Sequence, residues 1–197
     1  MGTMTATRPP RLQQGDLIIR DGPFTLAERD ALPADGYRHE LLDGVLVMAP
    51  APGRRHQDIV PRVWRLLVAA APRSCKVTLA PFDVVLGPRT VLEPDVLVAL
   101  RADLGPSRLE TAPLLAVEVA SPSTRILDLG RKKDLLAEAG CPSYWTIEPD
   151  TPTGPELTAW RLVDGAYAVE ARVSGAESWT AERPFEVTIT PNDLLDD

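Results

Sequence analysis

Residues 114–145 read LLAVEVASPSTRILDLGRKKDLLAEAGCPSYW, and the fold is decided here. The valine-rich opening is the pattern of a buried strand. Glu118 interrupts it with a carboxylate. An uncompensated buried charge costs several kcal/mol, a large part of the roughly 5–15 kcal/mol that holds a domain together, so a cation, a metal or a cleft must answer it. A polar turn, Ser121 to Thr124, leads to a helix pattern in which Asp128 is placed as N-cap, Gly140 as the C-terminal glycine and Pro142 as the stop. Projected at about 100° per residue, Leu129, Leu135, Leu136 and Ala139 share one face and Arg131, Asp134 and Glu138 the other. Lys132 falls within the apolar face, whereas Lys133 sits at its margin, where a long stem reaches water. Glu118 and Lys132 are thus a candidate catalytic pair, with a structural ion pair as the plain alternative.

Outward from this stretch, 197 residues with 44% hydrophobic content suffice for one aliphatic core. A flexible segment 1–20 and a single domain 21–197, its core about 37–170, are expected. No apolar run approaches the ~20 residues of a membrane helix, and the first residues lack the apolar stretch of a secretory signal. Cys75 and Cys141 read as reduced core thiols, which favours a cytoplasmic protein. The net charge of −7 is unevenly placed: residues 148–197 carry 11 acids and 3 bases, leaving +1 for the remainder. Arg54, Arg55, Arg62, Arg65, Arg73 and Lys76 gather around a single acid, Asp58. Such a cluster is either a solvated helix face or a surface for phosphates.

In chain order, Thr25 and Glu28 have capping-box spacing and Pro33 closes a short helix. Asp43-Gly44 joins two apolar runs as a hairpin, with Glu40 in the first. His56 opens a helix bearing Ile59, Val63, Leu66, Leu67 and Ala70, in which Pro61 is expected near the first turn. Strands are expected at 76–80, 82–86 and 95–100, then at 144–147. Residues 151–155, TPTGP, read as a boundary loop. A second hairpin at Asp164-Gly165, a strand at 185–190 and a helical turn at 191–195 complete the pattern.

Taken jointly, Glu40, Pro94-Asp95, Glu118 and Lys132 are carboxylates at strand positions followed by an inward lysine. Magnesium takes oxygen ligands, often one or two carboxylates with waters and substrate phosphate. Phosphodiester hydrolysis uses such a cation to polarise the phosphate and acidify a water, and a nearby lysine offsets developing charge.

The runs YRHELLDGVLVMAPAPGRRHQ, VLEPDVLVAL, LLAVEVASPSTRILDLGRKKDLLAEAGCPSYWTIEPD and LTAWRLVDGAYAVE resemble the Uma family of restriction-endonuclease-like proteins, within the PD-(D/E)XK nuclease superfamily. The resemblance spans roughly Tyr37 to Val169. It implies an α/β restriction-endonuclease-like core, a mixed central sheet flanked by helices, with β-hairpin additions at the C-terminus. It also implies Glu40 as the early acid, Asp95 and Glu118 as the motif acids, and Lys132 as the lysine. The superfamily's usual lysine position, two after the Glu, is Ala120 here. Leu136 replaces a frequent aromatic, and Pro61 is unusual in the first core helix. His56 matches a family histidine, with a helix-start role as reasonable as substrate contact.

The leading expectation is a magnesium- or manganese-dependent endonuclease acting on DNA. Asp95, Glu118 and the Val119 carbonyl would hold the metal, Glu40 would support it, and Arg54, Arg55 and His56 would meet substrate. A homodimer is allowed for, and no membrane association is expected. The alternative is a catalytically silent binding module that keeps the fold. Three expectations are sharp enough to be overturned. Glu40, Asp95 and Glu118 should converge from one sheet into a cleft. Lys132→Ala should leave the fold largely intact. A form lacking the residues after Pro149, provided it folds, should expose the basic surface and bind nucleic acid better.

Overall fold

The computed structural model describes residues 22–195 apart from 34–35, 50–51 and 122–127. Helix α1 (Leu26–Asp30) is fixed by a complete capping box: the Glu28 amide donates to Thr25 Oγ1, and the Thr25 amide donates to Glu28 Oε2 at 2.9 Å. β1 (Arg38–Leu42) and β2 (Val45–Ala49) pair antiparallel through Asp43 and Gly44. Both turn residues have positive φ, +51° and +85°, the geometry that makes Asp-Gly a tight hairpin turn.

Helix α2 (Arg54–Ala70) buries Ile59, Val63 and Leu67 on one face. Pro61 lies in the helix interior, past the first turn where it was expected, and the helix runs through it. β3 (Cys75–Leu79), β4 (Asp83–Gly87), β5 (Thr90–Leu92), β6 (Val96–Leu100), a two-residue β7 (Arg108–Leu109) and β8 (Leu115–Val119) follow. A π-type turn, Asp128–Lys132, leads into α3 (Lys133–Glu138). β9 (Ser143–Thr151), β10 (Gly154–Val163) and β11 (Ala166–Ser174) form a meander. β12 (Trp179–Ala181), β13 (Val187–Ile189) and a 3₁₀ turn at Pro191–Leu194 close the described chain.

The strands make a five-stranded sheet, β2-β1-β5-β4-β7, a six-stranded sheet, β11-β10-β9-β8-β6-β3, and the β12-β13 pair. Both larger sheets are mixed: β8 runs parallel to β9, and β4 parallel to β7, among antiparallel neighbours. Side chains alternate across β8. Leu115, Val117 and Val119 pack with Ile59, Val63 and Leu67 of α2, while Ala116 joins Leu135, Leu136, Cys141 and Tyr144 on the α3 side. Glu118 shares the second parity, so it faces α3.

Two expectations change at this level. Residues 151–155 are no boundary: they turn β9 into β10, which pair from Thr151↔Gly154 to Ser143↔Arg161. Leu157, Ala159, Ala181, Val187, Ile189 and Leu194 then enter the same core cluster as α2. The segment after Pro149 therefore cannot be removed without opening the core. The strand bearing Glu40 belongs to the five-stranded sheet, so Glu40 approaches Glu118 from a different sheet.

Candidate active site

Lys132 is the centre of the site. It is 1% exposed, and its ammonium lies 2.7 Å from Glu40 Oε2, 3.1 Å from Asp128 Oδ1 and 3.3 Å from Glu118 Oε1. An ammonium has three N–H donors, and three carboxylates surround this one. Burial alone would lower the Lys132 pKa; the charges of Glu118, Glu40 and Asp128 outweigh it and hold the group protonated, above its ordinary range. Glu118 moves the other way from a usual carboxylate. Burial raises its pKa well above the ordinary value, Lys132 opposes this, and Asp128, Asp95 and Glu40 add to it. Carboxylates outnumber the ammonium they surround.

Two members are held by hydrogen bonds to or from the backbone. Glu40 Oε1 accepts from the Glu93 amide at 2.8 Å. The Asp128 carbonyl accepts from the buried Tyr144 hydroxyl at 2.9 Å, pinning the turn that carries Lys132. Gly130 breaks the helical path there, with φ −113° and ψ −108°. Asp128 is thus no simple N-cap: it is a buried acid four residues before its lysine.

Asp95 stands beside this ring, in the turn before β6. Its Oδ2 accepts from the Val119 amide at 2.8 Å and lies 3.0 Å from His56 Nε2, while Arg38 Nη1 donates to Oδ1 at 2.9 Å. Burial would raise this carboxyl, but the His56, Arg38 and Val119 contacts prevail and its pKa is lowered. The Asp95–Val119 bond ties the site's two strands together, because Val119 directly follows Glu118.

A cleft of about 700 Å³ opens over Asp95, Glu93, Arg38 and His56, with Val60, Pro61, Leu79 and Pro81 among its apolar walls. Glu40, Glu118 and Lys132 are not among the lining residues; they are sealed behind it. The expected convergence is therefore split between an open face at Asp95 and a buried ring around Lys132. Arg54 and Arg55 stay outside the cleft, in the first turn of α2, facing Asp58 at 3.7 Å and Asp150 respectively.

The residues that sequence reasoning passed over are Arg38, Glu93 and Asp128. Asp128 carried a signal in its i,i+4 spacing to Lys132. Arg38 carried one in lying two residues before Glu40, on the same face of a strand.

The donor chemistry fits a hard divalent cation: buried carboxylates with too few cations to neutralise them. Among the described residues no group of three or more His, Cys, Asp or Glu side chains is disposed as a ready metal cage. Magnesium does not need one, since one or two carboxylates suffice when waters and substrate oxygens complete its shell. Among the described residues no helix is long and apolar enough to cross a membrane.

Residues 26–192 match the family Uma2, described as "Putative restriction endonuclease". No curated protein matches the chain. Among solved structures, a crystal structure described as "a putative nuclease belonging to DUF820" from Anabaena variabilis is similar, with a TM-score of 0.72 at 18% identity, covering 87% of this chain and 97% of the other. The two share a fold.

Proposed function

This chain belongs to the Uma2 family and has a restriction-endonuclease-like fold, and from that premise we propose a magnesium- or manganese-dependent endonuclease that hydrolyses phosphodiester bonds in DNA. The observation that carries the reading is the Lys132 ring of Glu40, Glu118 and Asp128 set directly behind Asp95 at the cleft. A stability role gives little reason for it, because a buried ion pair contributes little net over apolar packing.

Asp95, Glu118 and the Val119 carbonyl would hold the cation. When bound, it supplies Lewis acidity toward the phosphate and lowers the pKa of a water. The chain's own residues do the rest. Lys132 keeps a fixed positive charge behind the acids. Glu40 holds that ammonium in place. His56 orients Asp95 from the α2 side. The buried setting of the Lys132 ring strengthens its interactions relative to water. Nucleic acid is the partner, and the buried free thiols of Cys75 and Cys141 suit a reducing, cytoplasmic location.

A silent binding module is the second reading, and one observation favours it: both Asp95 oxygens are already engaged by Arg38, His56 and Val119. A cleavage assay on mixed DNA and RNA, with magnesium, with manganese and with chelator, separates the two. Metal-dependent cleavage of DNA, lost in Asp95→Ala, is the expected result. A wild-type protein that binds DNA but never cuts it would leave the silent module standing.

A further inference from the structure

A phosphodiester entering the cleft brings negative charge to a wall of mixed sign, so the cations there are the place to look for its ligand. Arg29 lines the cleft but is committed: Nη1 and Nη2 bind Asp83 at 2.5 and 2.8 Å, and Nε donates to the His39 carbonyl at 2.8 Å. Lys132 lies behind the wall with its ammonium ringed by carboxylates. His56 is turned onto Asp95. Arg38 differs from all three. It lines the cleft, its side chain is 26% exposed, Nη1 donates to Asp95 Oδ1 at 2.9 Å, and Nε stays 3.7 Å from Glu93 Oε1, beyond hydrogen-bond reach. Among the described residues, only a small part of its five-donor fork is engaged.

We propose that Arg38 is the ligand of the scissile phosphodiester, and that it is parked on Asp95 until that carboxylate accepts a divalent cation. The proposal rests on the nuclease reading above. Asp95 Oδ2 already accepts from Val119 and faces His56, so Oδ1, the oxygen under Arg38, is the one a cation would take. A cation and a guanidinium repel each other and compete for the same lone pairs. Once displaced, the planar fork matches two phosphate oxygens. Its backbone stays at the start of β1, and its side chain already reaches Asp95, so the phosphate it holds lies beside a proposed metal ligand. Arg38 is in this way a place-holder in the resting site and a substrate contact in the loaded one.

The two roles make opposite predictions for one substitution, which a merely structural arginine would not. Manganese affinity is read by titration calorimetry, and affinity for a duplex oligonucleotide by fluorescence anisotropy in calcium across a salt series. Arg38→Ala should bind manganese as tightly as wild type or more tightly. It should bind the oligonucleotide about tenfold more weakly, with a salt dependence shallower by about one ion. Arg38→Lys should keep the wild-type salt slope but bind a few-fold more weakly, for want of the fork. Wild-type oligonucleotide affinity in Arg38→Ala, or loss of manganese and oligonucleotide binding together in a folded variant, overturns the proposal. If Arg38→Ala does not fold, Arg38→Lys decides, and unchanged affinity there overturns it. A wild-type enzyme without metal-dependent cleavage removes the nuclease reading and this proposal with it, before any variant is compared.

Discussion

Lys132 Nζ lies 2.7 Å from Glu40 Oε2, and this ion pair joins two sheets that share no strand. Glu40 comes from the second β-hairpin strand's partner, β1, in the five-stranded sheet; Lys132 leads into α3, which packs on the six-stranded one. A charge pair at the seam between layers is a costly way to hold them together, since desolvation consumes most of the attraction. Its geometry makes sense as the back wall of a reaction site, where a fixed ammonium keeps several acids close.

Replacing Lys132 should therefore damage the fold as well as the chemistry. Helical phase alone makes Lys132→Ala look harmless, since alanine extends an apolar face. The structure reverses that expectation: three carboxylates lose their shared counter-charge, and breaking a buried pair costs about 3–5 kcal/mol. In the variant the Glu118 carboxyl, already raised by burial, loses the opposing charge of Lys132, so the folded state holds its proton above the unfolded pKa and stability rises as pH falls. Urea melts at pH 5 and pH 8 check this. A variant as stable as wild type at pH 8 would show that the ring carries no such strain.

Much of this was legible in advance. Apolar spacing reports which side of a helix faces the core, so it placed Lys132 inward without any structure. Asp-Gly turns fix hairpins locally, and both appeared. A hairpin does not say which sheet it joins, however, so the layer of Glu40 could not be read from it. Asp128 was hidden by its own respectability as an N-cap. The non-helical Gly130 breaks the helix between Asp128 and Lys132, which an N-cap pattern does not announce. Likewise TPTGP looks like a linker because a polar turn between two long strands has a linker's composition.

Lys133, the neighbour, offers a control. Its ammonium sits 4.0 Å from the Trp160 ring centroid, a cation–π contact on the rim of α3. Such contacts contribute about 0.5–1 kcal/mol when exposed. Lys133→Ala should lose about that much stability and retain cleavage. A dead Lys133→Ala beside an active, folded Lys132 variant would exchange the two assignments.

Glu93 predicts a pH signature. Burial pushes its carboxyl up to about 7, with Arg38 opposing and Asp83 and Glu40 reinforcing the rise. An unfolded glutamate titrates near 4.3. Between those values the folded state holds the extra proton, so this group's contribution to stability falls as pH rises through the window. Glu93→Gln cannot titrate, and its melting temperature should gain on wild type from pH 5 to pH 8. Parallel curves for the two proteins would contradict the raised carboxyl.

Under the proposed function, the basic face of α2 is the surface along which DNA would approach. The acidic C-terminal segment cannot be cut away to expose the basic helix, because its strands build the core. One contact can be edited instead. Arg55, beside His56 at the cleft's edge, faces Asp150, and both side chains are largely exposed, 56% and 72%. An exposed pair contributes roughly 0–1 kcal/mol, so Asp150→Asn should leave the fold unchanged while freeing one positive charge. At low salt, where the Debye length is about 30 Å at 0.01 M, duplex affinity should rise several-fold; near 0.15 M, where it is about 8 Å, the gain should shrink. Arg55→Ala should lower affinity over the same range. The double variant should bind better than Arg55→Ala by less than Asp150→Asn gains over wild type, because the share of the gain that comes from unmasking Arg55 is then lost, and this non-additivity identifies the pair as a cause. Should Asp150→Asn bind DNA no better than wild type at 0.01 M salt, the α2 arginines do not face the substrate and another surface carries it.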